Sequence, residues 1–183
     1  NYHQRASKCQ RNPPTLAIDL SIWICESLSS SAMAENHADP TLHLVFSRTI
    51  KLLKLGIKLI GVIEGKKRKL GVDGQQEEFQ KRRGGTRFWR ACEKCEQMLE
   101  ILGVPVVRAK AEGEALCALL NDKGIVDGVI SNDGDCFLFG AKVLYTKFSI
   151  ENLNQGKVMR YDADSLVACL DDDDHDEYDR KAQ

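Results

Sequence analysis

The chain has 183 residues, 43% of them hydrophobic, which is enough for one globular domain with a buried core. Its formal net charge of −1 does not by itself indicate a class of partner. No apolar run approaches the roughly 18 residues of a membrane-spanning helix, so the sequence lacks the pattern typical of integral membrane proteins.

The charges are unevenly distributed along the chain. Nine Lys or Arg lie between Lys66 and Arg90 against three acids, whereas nine acids and no Lys or Arg lie between Asp162 and Asp179. A basic middle and an acidic end favour a surface that binds a polyanion and a solvated tail. Residues 1–13 are expected to be a poorly ordered lead-in, and residues 171–183 a disordered acidic tail.

The seven cysteines are scattered among helical and strand patterns, which is typical of a reducing compartment such as the cytosol or the nucleus. Cys92 and Cys95 form a C-x-x-C inside a helical run with no second pair after it. Two buried thiols one helical turn apart are therefore favoured over a redox or zinc site. The sequence also predicts that four cysteines are small core residues, namely Cys25, Cys117, Cys136 and Cys169.

Residues 15–20 form a short apolar run that predicts the first strand, and Asp19 near its end is a candidate metal ligand. The alternative is that Asp19 caps the helix that follows. Helical periodicity then covers residues 42–55, and residues 57–63 predict a second strand that is followed by Glu64. A helix between two short strands indicates a right-handed β-α-β crossover and a parallel sheet.

Residues 66–85 interrupt this pattern because they are charged, Gln-rich and flanked by glycines. A long basic insertion after a strand is more often a functional loop than a linker, with solvated disorder as the alternative. Helical periodicity returns over residues 86–102. Later patterns predict strands at 104–107, 126–130, 142–145 and 157–161 and a brief helix at 162–170.

Six acids follow the predicted strands: Asp19, Glu64, Glu112, Glu114, Asp133 and Asp135. The four residues from 112 to 135 form two closely spaced pairs, and either pair alone is equally explained as a helix cap or a solvated turn. Together, four successive β-to-α junctions would carry all six acids to the carboxyl edge of the sheet. Ligands and catalytic groups gather at that edge in open α/β folds.

A cluster of this kind needs protons or cations, because each like-charge contact at about 4 Å costs about 4 kcal/mol at an effective dielectric of about 20. Oxygen ligands with no flanking His or Cys point to Mg²⁺ or Mn²⁺ rather than Zn²⁺. Bound divalent ions beside a basic loop suit phosphodiester hydrolysis. One ion lowers the pKa of the attacking water and another stabilises the leaving oxygen.

Four segments resemble, in order and spacing, the XPG/flap-endonuclease family of structure-specific nucleases: LAIDLSIW, GVIEGKKRKL, EGEALCALL and SNDGDCFLFGA. The stretch MLEILGVP before the glutamate pair looks most like the GEN branch, the Holliday junction resolvases. The resemblance covers about residues 14–168 and implies an α/β, PIN-like (resolvase-like) fold, a parallel twisted sheet flanked by helices. It further implies that the six acids are catalytic and bind two Mg²⁺ ions, for which Mn²⁺ can substitute.

The resemblance also implies the partners. The substrate would be flapped or four-way-junction DNA, read by shape, and the protein would act in DNA repair or recombination in the nucleus, as a homodimer on a junction. The nuclease domain would span residues 14–170, with residues 65–90 as a basic loop or arch. The candidate DNA-binding residues are Lys66, Lys67, Arg68, Lys69, Lys81, Arg82, Arg83 and Arg87.

The chain departs from the family pattern in two places. Lys67 and Arg68 stand where the family has two prolines, so no single basic residue is assigned to the scissile phosphate. The Gly-Cys-Asp-Tyr motif and the helix-hairpin-helix module that follow the fifth strand in the family are absent from the sequence, which suggests a truncated member.

The leading hypothesis is therefore a Mg²⁺-dependent, structure-specific DNA endonuclease. One alternative is a non-catalytic DNA-binding fragment, which the missing module and the acidic tail favour. Another is a PIN-type ribonuclease, whose smaller sheet also gathers acids at one edge. Metal-dependent cutting of branched DNA, binding without cutting, and cleavage of single-stranded RNA would distinguish the three.

Overall fold

The structure, a computed structural model, describes residues 12–29, 38–65, 83–148, 155 and 158–168. Its strands are β1 (Thr15–Asp19), β2 (Lys58–Ile63), β3 (Val106–Arg108), β4 (Gly128–Ile130), β5 (Val143–Thr146) and β6 (Met159–Asp162). Its helices are α1 (Leu20–Ser29), α2 (Pro40–Lys54), α3 (Arg83–Ile101), α4 (Gly113–Asp122) and α5 (Asp135–Leu138). The backbone of residues 163–168 is also helical.

The strands form one sheet in the order β3-β2-β1-β4-β5-β6. Strands β1 to β5 are parallel, and β6 is antiparallel to β5. The chain builds outward from β1 in one direction through β2 and β3, and in the other through β4 and β5. In the register, Ile18 of β1 lies between Gly61 of β2 and Ile130 of β4. The predicted α/β fold, a largely parallel sheet flanked by helices, is confirmed.

Helices cover both faces of the sheet, which is why β1 and β2 are apolar on both sides. Helices α1, α2 and α3 form one layer, where Trp23 packs with Ile18 and Leu99 in the larger hydrophobic core. Helix α4 forms the other layer, where Cys117 packs with Val129 in a second core. The alternation of side chains along each strand divides its apolar residues between the two cores.

Local sequence signals set the ends of α2. Asp39 accepts the N–H of Leu42 through Oδ1 at 3.1 Å, and Pro40 occupies the first turn. The helix stops before Gly56, whose φ of +80° lies in the left-handed region that favours glycine. These signals set where α2 begins and ends, and therefore where in the chain β2 can start.

A buried charge joins α1 to α2. Arg48, of which 2% is exposed, donates two hydrogen bonds to Glu26, at 2.8 and 2.7 Å. Its guanidinium also lies over the ring of Trp23, 5.2 Å from the centroid. The bidentate pair and the stacked guanidinium therefore add directional contacts to the apolar packing of α1 and α2.

Several element boundaries differ from the sequence prediction, by up to three residues. Helix α3 begins at Arg83 rather than at residue 86, so the last part of the segment 65–90, expected to be a basic loop, is helical. Strand β4 begins at Gly128 rather than at residue 126. At Asp127, just before β4, Oδ2 accepts the N–H of Thr15 at 2.7 Å, so a side-chain oxygen is the acceptor there rather than a backbone carbonyl.

The five cysteines that the structure describes follow the prediction with one exception. Cys92, Cys95, Cys117 and Cys136 are buried free thiols, as expected. Cys25 is exposed on α1, so its assignment to the core is wrong. Among the described helices, none has both the length and the apolar character needed to span a bilayer.

Several predicted features lie outside the described residues. They are the lead-in up to residue 11, most of the basic loop (residues 66–82), Cys169 and the acidic tail 171–183.

Candidate metal centre

The parallel sheet carries the predicted acids to a single edge. Asp19 is the last residue of β1, and Glu64 follows β2 directly. The glutamate pair lies at the start of α4, which follows β3. After β4, Asp133 lies in the turn and Asp135 is the first residue of α5. Strands β1 and β4 are neighbours. The chain adds β2 and β3 on one side of β1 and then crosses to the other side, where it adds β4 and β5. Such a switch point opens a crevice at the carboxyl ends of the strands.

Three of the acids lie in direct proximity. Glu114, Asp133 and Asp135 each offer a carboxylate oxygen, and these oxygens all lie within 4.8 Å of one another. Glu114 reaches the group from the first turn of α4, whereas the two aspartates follow β4. The three residues therefore form a compact oxygen-ligand set contributed by two separate elements.

The turn after β4 is shaped by its own side chains. Asp133 accepts the N–H of Asp135 through Oδ1 at 3.0 Å, and its own N–H donates to the hydroxyl of Ser131 at 3.1 Å. Short polar side chains commonly form such turns by bonding to the backbone two residues away. One carboxylate oxygen of Asp133 therefore stabilises the turn, and the carboxylate also belongs to the cluster of three acids.

Asp19 is the most buried of the six acids, with 2% exposed. Its Oδ1 accepts the N–H of Ser21 at 3.0 Å, so Asp19 caps α1, as the alternative sequence interpretation predicted. Burial raises the pKa of the Asp19 carboxyl from 3.8 to about 6. The bond from Ser21 opposes this rise in pKa, and the carboxylates of Glu64 and Asp133 add to it.

Glu114 is the electrostatic centre of the group. Burial raises the pKa of its carboxyl from 4.5 to about 7, and four neighbouring carboxylates contribute to the same rise. Those neighbours are Asp133, Asp19, Asp135 and Glu112. Because Asp19 in turn interacts with Glu64, the interactions link all six predicted acids at this edge.

The six acids are not equally close. Glu64 and Glu112 stand outside the set of oxygens within 4.8 Å of one another. Glu112 is exposed and occupies the N-cap position of α4 without a side-chain capping bond. Glu64 is half-buried beside β2. The geometry is thus a tight set of three acids, with Asp19, Glu64 and Glu112 around it.

Two glycines permit this approach, and the sequence patterns did not single them out. A Cβ at Gly113 would lie 3.2 Å from Oδ1 of Asp19, so a bare backbone lets the start of α4 press against β1. A Cβ at Gly65 would lie 1.9 Å from the carbonyl oxygen of Ala109, which only glycine tolerates. The pair Glu-Gly in both segments is the signal that could have pointed to them.

The donor set fits a hard divalent cation. All the candidate ligands are carboxylate oxygens, which suit Mg²⁺ or Mn²⁺. The charged neighbours that raise the pKa values of Asp19 and Glu114 are themselves carboxylates, so positive charge at this position would relieve their repulsion. The start of α4, with its N–H dipoles, adds to the attraction for the carboxylates.

The basic candidates can be placed only in part. Arg87 is exposed on α3, and Arg83 is the first residue of that helix. The others, Lys66, Lys67, Arg68, Lys69, Lys81 and Arg82, lie outside the described residues.

Family profiles match most of the chain. The XPG N-terminal domain matches residues 4–86, and the XPG I-region matches residues 103–177. Among curated proteins, the human protein named Flap endonuclease GEN homolog 1 is 38% identical over 167 residues, covering 85% of this chain and 18% of that protein. The Drosophila melanogaster protein named Flap endonuclease GEN is 32% identical over 197 residues, covering 89% of this chain and 27% of that protein.

Solved structures give the same relatives. Human GEN1 in complex with Holliday junction DNA superposes with a TM-score of 0.71 at 34% identity, covering 86% of this chain and 40% of that one. The catalytic core of Rad2 in complex with a DNA substrate gives a TM-score of 0.67 at 30% identity, with coverage of 87% and 49%. GEN1 in complex with product DNA and a Mg²⁺ ion gives a TM-score of 0.62 at 27% identity, with coverage of 86% and 34%. The chain thus spans about a fifth to a quarter of the length of its curated GEN relatives.

Proposed function

Since the chain belongs to the XPG/flap-endonuclease family, in its GEN branch, we propose that it is a metal-dependent endonuclease that hydrolyses phosphodiester bonds in branched DNA. The observation that carries this proposal is the cluster of Glu114, Asp133 and Asp135, whose carboxylate oxygens lie within 4.8 Å of one another at the sheet edge. The GEN1 structures that contain DNA with Mg²⁺, or with Mg²⁺ and Mn²⁺, support the same chemistry in relatives of this chain.

The six acids at the edge are the proposed metal ligands and catalytic residues: Asp19, Glu64, Glu112, Glu114, Asp133 and Asp135. Two divalent ions, Mg²⁺ with Mn²⁺ as a substitute, would activate the attacking water and stabilise the leaving oxygen. Asp19 and Glu114 resist ionisation in the absence of cations because they are buried among other acids. They therefore have the most to gain in stability from bound positive charge.

The proposed substrates are 5′-flap and four-way-junction DNA. The support is the human relative, solved with Holliday junction DNA, and the Rad2 core, solved with a DNA substrate. The basic segment that runs from residue 66 into α3, including Arg87, would hold phosphates that flank the scissile bond. Action in DNA repair and recombination in the nucleus, and a homodimer on a junction, belong to the same proposal.

The domain organisation is part of this proposal. Residues 14–170 would form the nuclease domain, with the basic segment as its arch and the acidic residues 171–183 as a tail.

An incision assay tests the proposal. The chain is incubated with labelled 5′-flap and four-way-junction DNA, with Mg²⁺ and then with chelator, and the products are resolved on a denaturing gel. We expect cleavage that requires the metal and falls at least about a hundredfold in Asp133→Asn, because a ligand charge is lost. Asp164→Asn is a matched control, because Asp164 is an exposed acid just after β6, at the opposite edge of the sheet.

The outcomes of this assay separate the hypotheses. Salt-sensitive binding of junction DNA without metal-dependent cleavage would replace the endonuclease proposal with the binding-only alternative. Cleavage of single-stranded RNA with indifference to DNA branches would favour the ribonuclease alternative. The XPG relatives favour the first hypothesis over both.

A further inference from the structure

Lys147, the residue that follows β5, has a backbone conformation that calls for an explanation. Its φ is 59°, and it is the only residue other than glycine with a positive φ among those that the structure describes. A side chain at such an angle is strained, and the surroundings must hold it there. Strained residues of this kind cluster at functional sites, so the position of Lys147 relative to the acids is informative.

The strained residue is held by the loop that carries the acids. Asn132 accepts the N–H of Lys147 through its side-chain oxygen at 2.9 Å. One residue earlier in that loop, the N–H of Ser131 donates to the carbonyl of Tyr145 at 3.2 Å. Asn132 directly precedes Asp133 in the chain. The side-chain bond of Asn132 therefore ties the backbone of Lys147 to the turn that presents Asp133 and Asp135.

The register places Lys147 at the same edge of the sheet as the acids. Ile130 of β4 pairs with Tyr145 of β5 in parallel. Two residues beyond this pair, Asn132 and Lys147 lie level with each other and are hydrogen-bonded. Lys147 is therefore level with the residue that directly precedes Asp133. Lys147 is also exposed. A lysine is thus fixed at the rim of the acidic crevice, on the side of β5.

The positive charge of Lys147 suggests a role beside the acids. Six carboxylates carry six negative charges, and two divalent ions would offset four of them, so the edge would stay negative towards a polyanion. A cation at the rim lowers that repulsion and can hold a phosphate oxygen. Resting on the proposed function, we infer that Lys147 contacts a phosphate of the DNA backbone beside the metal centre, and that Asn132 is a positioning residue which holds it there.

A simpler explanation competes with this inference. Phe148, with 4% exposed, packs in the larger core, so the turn at residue 147 also serves to bury the next side chain. If burial of Phe148 were the whole reason for the strain, the lysine side chain would be replaceable without effect on DNA binding.

The test measures DNA binding rather than cleavage. Fluorescence anisotropy follows 5′-flap DNA bound to the 183-residue chain, with Ca²⁺ in place of Mg²⁺ and over a series of salt concentrations. We expect Lys147→Ala to bind about fivefold more weakly and to lower the slope of log affinity against log salt by about one, as for a single lost phosphate contact. Lys147→Arg should retain both. Lys58→Ala, an exposed lysine at the amino end of β2, should leave both unchanged.

Two further variants separate a DNA contact from a structural role. Lys147→Gly removes the strain and the charge together, so it should melt no lower than the wild type while it loses DNA affinity as Lys147→Ala does. Asn132→Ala should weaken binding, and the double variant Asn132→Ala with Lys147→Ala should lose no more affinity than Lys147→Ala alone.

Unchanged affinity and salt slope in Lys147→Ala, with a wild type that binds flap DNA, would overturn this inference and leave the proposed function standing. Additive losses in the double variant would overturn the positioning role of Asn132. A wild type that neither binds nor cuts branched DNA would overturn the proposed function and this inference with it.

Discussion

Asp19 is a buried carboxylate, and burial disfavours its negatively charged form. It is 2% exposed, it receives one backbone N–H from Ser21, and its charged neighbours Glu64 and Asp133 are acids. Burial is the main reason that its pKa rises from 3.8 to about 6. Without a cation, the folded state therefore binds a proton at Asp19 more tightly than the unfolded state does.

The pH dependence of stability follows from this pKa. The stabilising contribution of a protonated Asp19 is fully present below pH 3.8 and is lost as the pH rises through about 6. The difference between the two pKa values corresponds to about 3 kcal/mol of unfolding free energy. In metal-free buffer, Asp19→Asn should therefore gain stability relative to the wild type across this window and keep the gain at higher pH.

Urea unfolding of both proteins at a series of pH values checks this expectation. Asp164→Asn, which changes an exposed acid at the other edge of the sheet, is the matched control for the loss of one carboxylate. A constant difference between Asp19→Asn and the wild type over the same range would contradict the assigned pKa.

At the scale of single residues, the sequence identified the six acids because each follows an apolar run or opens a helical pattern. It did not identify Gly113 or Gly65, because the need for a missing Cβ depends on which backbone approaches from another element. The sequence also did not predict that Cys25 is exposed. A small apolar residue on a helix gives little indication of which face it occupies.

Secondary-structure elements deliver the acids, and α4 is the one that must be held most firmly because it carries both Glu112 and Glu114. Its last turn is fixed by Asn121, whose buried side-chain amide bonds to the backbone just before β4 and at the start of β5. Nδ2 donates to the carbonyl of Val126 at 3.0 Å. Oδ1 accepts the N–H groups of Lys142 and Val143 at 2.7 and 2.9 Å.

Asn121→Ala should destabilise the protein by about 3 kcal/mol, because it leaves the buried carbonyl of Val126 and the part-buried N–H groups of Lys142 and Val143 without partners. Thermal or urea unfolding measures the loss. The neighbouring Asp122→Ala, which removes only solvent-exposed ion pairs, should have a much smaller effect. Equal losses in the two variants would show that Asn121 does not hold α4 against the strands.

At the scale of elements, hydrophobic patterns predicted α2, α3 and the six described strands in approximate position, because each of these elements buries one apolar face or stripe. They missed α5, a helix of four residues too short to show a period. They also placed the start of α3 too late, since Gly84 and Gly85 suggest a loop but lie within the first turn of a helix. The antiparallel direction of β6 has no local signal, because direction depends on the path of the chain.

The whole molecule is organised by the reversal of strand order at β1. The sequence predicted a parallel sheet and therefore one common carboxyl edge, but it did not predict that β1 and β4 are neighbours. That pairing sets Asp19 beside the turn of Asp133 and Asp135, while α4 packs across β1 and brings Glu114 from the other side. The site is therefore a property of topology, and no single segment contains it.

The central claim is that these acids, distant in sequence, form one divalent-cation site. Binding of Mn²⁺, followed by electron paramagnetic resonance of the free ion, tests it without DNA and without catalysis. We predict that the chain binds Mn²⁺ and that Asp19→Asn, Glu114→Gln and Asp133→Asn each weaken binding at least about tenfold, while Asp164→Asn binds as the wild type does. Mn²⁺ binding that is absent from the folded wild-type chain, or equally tight in all four variants, would contradict the account.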